Sequence, residues 1–295
     1  MGMSASRLDS QDQRVRQALG VVSQLKDDAK YSGLLARIVF LTQGEAASPA
    51  MIERLCAPDP VLAPAIHRTF EYALAELGIG EYYGLAKAME SLGPDRTARY
   101  LTGAAIGSLV QVAAPVSGIS AISCLRQSLA MGCISYALAK SSKDIRSIDA
   151  YRAGVLCHLG VPILGICFGE KYGGVYHMIA GTSEPLYSVE REHFGISHPE
   201  IGALFGAKIG LVDRTCQAIR EHHEPLKAIR GVSQVLALAE LLAHDLGYDG
   251  GTANASQGYE RSWTVRLGLQ DAQIPRLIEE ISFESALFSH IFATN

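Results

Sequence analysis

At 295 residues with 48% apolar side chains, the chain is long enough to bury a large core, and nothing in its composition asks for disorder. Its 26 basic and 30 acidic residues leave a net charge of −4 without a long single-sign run, which disfavours a nucleic-acid backbone or an anionic membrane as partner. The six cysteines form no C-x-x-C pair and suit buried thiols in a reducing compartment; the opening MGMSASRLDSQDQRVRQ lacks the apolar stretch of a secretory signal, so a cytoplasmic location is expected.

In chain order, residues 1–29 predict an amphipathic helix with Val15, Leu19 and Val22 on one side and Asp12, Arg14, Arg16 and Lys26 elsewhere. Ser48-Pro49 and Asp59-Pro60 each place a capping side chain before a proline at a first helical position. Leu101 to Leu125 carries no charge and has the length of a membrane span, but Pro115 and Gly118 interrupt it and Arg96, Arg99 and Arg126 flank it. Two buried helices joined by an APVSG turn are the better expectation. In the second of them, Ile122, Leu125, Leu129, Cys133 and Tyr136 recur at spacings of three and four, a stripe that faces a core. Ile229, Val232, Leu236 and Ala239 repeat the pattern. Gly93, Gly210 and Gly247 each follow a periodic run, where a left-handed residue can close a helix. GYDGGTANASQG, from Gly247 to Gly258, predicts a loop, and the chain beyond it returns to helix. Runs of alternating β-branched residues are nearly absent, so the fold class is all-α.

The residues able to do chemistry are mainly histidines. His158, His198, His222 and His223 occupy apolar or helix-end contexts; neutral imidazole binds divalent ions well, although a lone buried histidine is more often a core residue with one hydrogen bond. GEKYGG at 169–174 lacks the Gly-Lys-Ser/Thr ending of a phosphate loop. Ser197-His198 is more simply a helix cap than a nucleophile and its base. In EREHFGISH, Glu190, Arg191 and Glu192 either line a pocket or form ion pairs, and a structural role with Arg191 paired to a carboxylate is favoured.

The order of these segments is more specific than any one of them. AGVLCHLGVPIL, EREHFGISHPEIGALF and AIREHHEP together resemble the HD superfamily, and within it the HD-related output domain, HDOD. APDPVLAPAIHRTF and EYYGLAKAMESLGPDRTARYLTG upstream, and AIRGVSQVLALAELLAHDLG downstream, resemble the same family's helices, so the likeness spans residues 30–250. It implies an HD/phosphodiesterase-like helical core over 111–250, an amino-terminal helical bundle over 30–110, an extension over 1–29, and carboxy-terminal helices over 251–295 packed on the core.

The family's metal pattern carries over only in part. The hallmark His-Asp pair is His158-Leu159, and Gln127 in LRQSLAMG stands where active members place an earlier histidine. His198, His222 and His223 match positions used by active members such as HD-GYP phosphodiesterases, and the acidic residue of the closing helix is Glu240, with Asp245 as rival. A leucine supplies no lone pair where an aspartate would bridge two ions, so no catalytic residue, no cofactor and no two-metal centre is expected; His158, His198, His222 and His223 are residual candidates for a single divalent metal ion. The resemblance implies a regulatory module that binds a signalling protein or a small ligand, with a pocket expected between the amino-terminal helices and the body, no nucleic acid or membrane partner, and a homo-oligomer compatible with it. The rival is a metal-dependent phosphohydrolase of a nucleotide or cyclic dinucleotide, in which Glu240 or Asp245 compensates for Leu159. A third reading is a scaffold without a ligand.

Overall fold

Local capping decides where the first helices begin. The Ser48 hydroxyl accepts from the backbone N–H of Met51, and Pro49 opens α1, Pro49–Cys56. Asp59 Oδ1 accepts from the N–H groups of Val61 and Leu62 at 3.0 and 2.8 Å. The helix this starts is α2, Leu62–Glu76, so Pro60 lies just before the helix and not at its first position as expected. The computed structural model describes residues 48–140, 142–179, 184–224, 231–248 and 271–293, with isolated positions between 16 and 41 and at 182 and 250. The helix expected over residues 1–29, the loop after Gly247 and Ile229 lie outside the described residues, apart from those isolated positions.

The remaining helices are α3 (Leu85–Ser117), α4 (Ala121–Ala139), α5 (Ser147–Leu156), α6 (Gly160–Phe168), α7 (Glu170–Met178), α8 (Leu186–Phe194), α9 (His198–Ile209), α10 (Asp213–Glu221), α11 (Gly231–Asp245) and α12 (Ile274–Ala293). No strand occurs among the described residues. Gly93, at φ 76° and ψ 171°, kinks α3 ahead of Pro94, so the glycine separates two helical segments of one rod. Gly118 and Gly210 close α3 and α9 in left-handed conformations. Pro115 lies inside the last turn of α3, which shortens the expected APVSG turn to its final residues.

The uncharged stretch is explained by position. Residues 101–110 of α3 are buried without exception, and so are residues 127–135 of α4. α4 is therefore a central helix covered on every side, which corrects the single stripe expected for it; Ile122 and Tyr136 at its ends are only half-buried. Among the described residues, one segment is long and apolar enough to cross a membrane, Ser147–Phe168, and 78% of its apolar window is buried inside the fold.

α12 closes this core by close approach. A Cβ at Gly103 would lie 2.2 Å from the Phe288 ring, and one at Gly107 would lie 2.1 Å from the Phe292 ring, so the two glycines form the seat for α12. Beside that seat a charged group is buried. Arg99 Nε donates to Glu284 Oε1 at 2.7 Å, and the guanidinium lies 5.1 Å from each of the ring centres of Tyr136 and Tyr151. Glu284 Oε2 accepts from Tyr151 Oη at 2.7 Å and Cys133 Sγ at 3.3 Å. Burial, and then the Glu284 charge, hold both donors well above their ordinary pKa, so they stay protonated and keep donating.

Removing the cation leaves Glu284 without its counter-charge in a dry site. Arg99→Ala is expected to lower stability by about 3–5 kcal/mol, read from urea denaturation, and the double variant Arg99→Met with Glu284→Leu should regain most of the loss. Equal losses in the two proteins would show that packing around Arg99, and not charge pairing, is what the site contributes.

Candidate functional site

Five segments converge on one buried polar centre. His158 sits in the short link between α5 and α6, His198 is the first residue of α9, and His222 and His223 directly follow α10. Glu240 comes from the middle of α11 and Gln127 from α4. The convergence depends on Gly160. A Cβ there would lie 2.0 Å from the carbonyl oxygen of His198, so only glycine lets α6 rest on the start of α9. α9 starts at that point because Glu200 Oε2 accepts from the Ser197 N–H at 2.9 Å and from its hydroxyl at 2.7 Å.

The ligand nitrogens of His158, His198, His222 and His223 all lie within 4.8 Å of one another. His198 Nδ1 donates to Glu190 Oε2 at 2.7 Å, the same oxygen accepts from the His198 backbone N–H at 2.6 Å, and Tyr172 Oη donates to Glu190 Oε1 at 2.6 Å. That arrangement leaves the lone pair of His198 on Nε2, 2.9 Å from His223 Nε2. His222 Nδ1 donates to the carbonyl of Ile219 at 2.5 Å, which puts its lone pair on Nε2 as well. That Nε2 is buried and has no hydrogen-bond partner. Glu240 closes the far side: Oε2 is 3.5 Å from His158 Nε2, and Oε1 is 3.7 Å from His223 Nδ1 and accepts from His244 Nε2 at 3.0 Å. Tyr187 stacks on His223 with ring centres 4.9 Å apart, and this half-buried pair borders the more open side of the cluster.

Burial sets the charge states. It pushes His222 down to about 3, with the positive charge of His158 adding to the effect, and burial followed by His222 holds His223 well below the imidazole range. Burial works to lower His158 too, but Cys157 and Glu240 beside it outweigh that and hold it well above the ordinary value. Burial alone would raise Glu240, yet His158 and His223 keep it well below the usual carboxylate range. Two neutral imidazoles therefore sit beside a His158–Glu240 ion pair.

All four candidate histidines are thus brought together, and Gln127 joins them, its Nε2 3.4 Å from His158 Nε2. Leu159 is buried beside Ile106, Val110 and Pro162 around a small void. Glu240 is the carboxylate of the closing helix that reaches the cluster; Asp245 is exposed at the end of α11, which removes the rival. Arg191 pairs with Glu200 at 3.0 Å, but on a half-exposed surface and not in a buried one. Glu190, for which the sequence favours a structural role, orients His198 through its carboxylate. A signal for it existed: Leu186, Glu190 and Phe194 are spaced by four, which places Glu190 on the buried stripe of α8. A cleft of about 460 Å³ lies among the amino-terminal helices, within α1, α2 and the start of α3, lined by Ile52, Cys56, Ile66, His67 and Leu85.

Comparison with known proteins agrees with this fold. The HDOD domain profile matches residues 29–225, which takes in all four histidines and stops before Glu240. Among solved structures, the chain is similar to an HDOD domain protein of unknown function from Geobacter sulfurreducens, with a TM-score of 0.71 and 17% identity over 95% of this chain and 99% of the other. It is similar to a candidate signal transduction protein from Marinobacter aquaeolei, with a TM-score of 0.68 and 18% identity over 96% and 67% of the two chains. A candidate phosphohydrolase from Shewanella amazonensis gives a TM-score of 0.65 and 17% identity over 94% and 98%. At these identities the likeness is one of fold. No curated protein matches the chain.

The depressed imidazoles make a prediction about acid. Above pH 6.5, His222 is neutral folded and unfolded; between that value and about 3 the unfolded chain takes up a proton that the folded chain refuses. Stability should therefore fall as pH drops through this window, and His222→Gln should flatten the dependence by about one proton. His158 has the opposite sign, its contribution being present below its unfolded value and lost as pH rises through its raised folded one. Urea midpoints measured from pH 7 to pH 4 check this, and an unchanged slope in His222→Gln would contradict it.

Proposed function

The chain belongs to the HDOD domain family, and from that premise we propose that it is a cytoplasmic regulatory module of bacterial signal transduction. It acts by binding a protein partner or a small ligand, without turning over a phosphate ester. The observation that carries this reading is the shortage of carboxylates at the histidine cluster. Hydrolysis through a metal pair needs an oxygen ligand shared between two ions and enough negative charge to hold both while bound water loses a proton. Leu159 provides neither at the hallmark position, and Glu240 is already shared among His158, His223 and His244. Glu190 is taken up by His198 and Tyr172. The fold likeness to a candidate signal transduction protein supports the same reading.

The grouping of four histidines favours one rival, an HD-type metal-dependent phosphohydrolase acting on a nucleotide or cyclic dinucleotide. The two readings separate in a direct assay with bis(p-nitrophenyl) phosphate and p-nitrophenyl phosphate in the presence of Mn²⁺. The regulatory reading expects rates no higher than the buffer blank. Metal-dependent turnover that disappears in His198→Ala would replace it with the enzymatic one.

A further inference from the structure

We propose that the cleft within α1, α2 and the start of α3 is a binding site for a small organic cation, an apolar body that carries one protonated amine. The proposal gives the regulatory reading above a place and a ligand class, and it rests on that reading only for the consequence of binding.

The cleft has the size and surface of a ligand site. Its volume of about 460 Å³ falls within the ~300–1,000 Å³ usual for small organic molecules. Ile52 and Cys56 of α1, Ile66 of α2 and Leu85 of α3 are buried and make an apolar floor, while Pro60 and Pro64 are exposed at the rim. The walls are short. One runs from Ile52 to Ala57 and the other from Ala63 to His67, about 6–8 Å of helix each at ~1.5 Å per residue. A docked helix lays down anchors at i, i+3, i+4 and i+7, ~10 Å of its length, so these walls suit a ring system and not a partner helix.

The frame is fixed before any ligand arrives. Asp59, in the link between α1 and α2, accepts from the N–H groups of Val61 and Leu62 and donates its own N–H to the Cys56 carbonyl at 2.8 Å. Its second carboxylate oxygen lies 3.7 Å from the Arg37 guanidinium. A link tied in this way holds the two helices at a set spacing, and a preformed cleft loses little freedom when it is filled.

Charge selects the ligand. Glu53, Asp59 and His67 are among the residues that line the cleft, and no lysine or arginine is. The Asp59 carboxylate is taken up by the helix cap and Arg37, whereas Glu53 is exposed and has no ion-pair partner among the described residues. Glu71, one turn beyond His67 on α2, is exposed and unpaired among them in the same way. Both carboxylates act on one point. His67 Nδ1 shares a hydrogen bond with the Tyr82 hydroxyl, and burial, then Glu53, then Glu71 raise that phenol above its ordinary value. A cation at the His67 end therefore meets a negative field while its apolar body covers the floor, a pairing that a neutral or anionic molecule of the same shape does not obtain. A ligand so held touches three helices, and by binding the folded chain alone it stabilises that chain as its concentration rises.

The test uses the full chain and three probes of similar shape, naphthylethylamine, naphthylethanol and naphthylacetate, titrated by calorimetry at neutral pH. Expected is one saturable equivalent of the amine, bound about 2–5-fold more tightly than the alcohol, with the carboxylate weakest. Glu53→Gln combined with Glu71→Gln should remove the advantage of the amine and leave the alcohol as it was. Glu170→Gln, a change of charge on α7, should alter none of the three. Ala63→Phe fills the cleft and should abolish binding of every probe; if it does not fold, Ala57→Phe gives the same reading. No binding of the amine, or binding that a folded cleft-filling variant leaves intact, overturns the site. An alcohol bound as tightly as the amine, or an advantage that survives the double glutamine variant, overturns the assignment of a cation. Each of these outcomes leaves the regulatory reading standing, and metal-dependent phosphoester turnover overturns that reading while leaving the cleft's ligand in place.

Discussion

The contact between Gly160 and the carbonyl of His198 governs the arrangement of this protein's polar centre. With a methyl group there standing 2.0 Å from that oxygen, α6 would have to lift away from α9. His158 and His198, whose ring centres lie 5.4 Å apart, would separate with it. Every other group in the cluster is placed relative to those two rings: Glu190 and Tyr172 behind His198, Glu240 and Gln127 around His158, and the His222–His223 pair facing both. A constraint of backbone packing thus precedes the chemistry. Glycine is the side chain that meets it, because it alone has no Cβ.

Two buried charged centres divide the core between them, and they differ in what they leave unsatisfied. Around Arg99 and Glu284 the partners close on one another: a guanidinium, two phenol rings and a thiol surround one carboxylate, and the centre pins α12 to α3, α4 and α5. A network so complete rigidifies. The histidine centre is different. One imidazole nitrogen of His222 and one oxygen of Glu240 have no hydrogen bond, and two unprotonated rings are held next to an ion pair. Buried polar atoms left open in this way are uncommon in native proteins.

Leu159 separates the chemistry of this site from that of a hydrolytic relative. It makes the hallmark corner apolar, and with Ile106 and Val110 of α3 it lines a small void. A leucine there offers no lone pair to share between two ions. The proposed reading, binding without turnover, rests on that difference.

Much of this was legible in the residues. Helical periodicity gave the all-α class, Ser48-Pro49 and the glycine stops gave several boundaries, and the order of the histidine segments gave the family. These features are local, each one set by neighbours within a turn or two of helix, which is why reading along the chain recovers them. What only the tertiary structure decided is which distant groups meet. His198 and His223 are 25 positions apart and share a contact of 2.9 Å. Glu240 and not Asp245 completes the centre, because five residues along a helix turn a side chain to a different face. Spacing along the chain carries no record of which helices cross, so the carboxylates, the tautomers and the unpaired nitrogen of His222 emerged only once α6, α9, α10 and α11 were packed together.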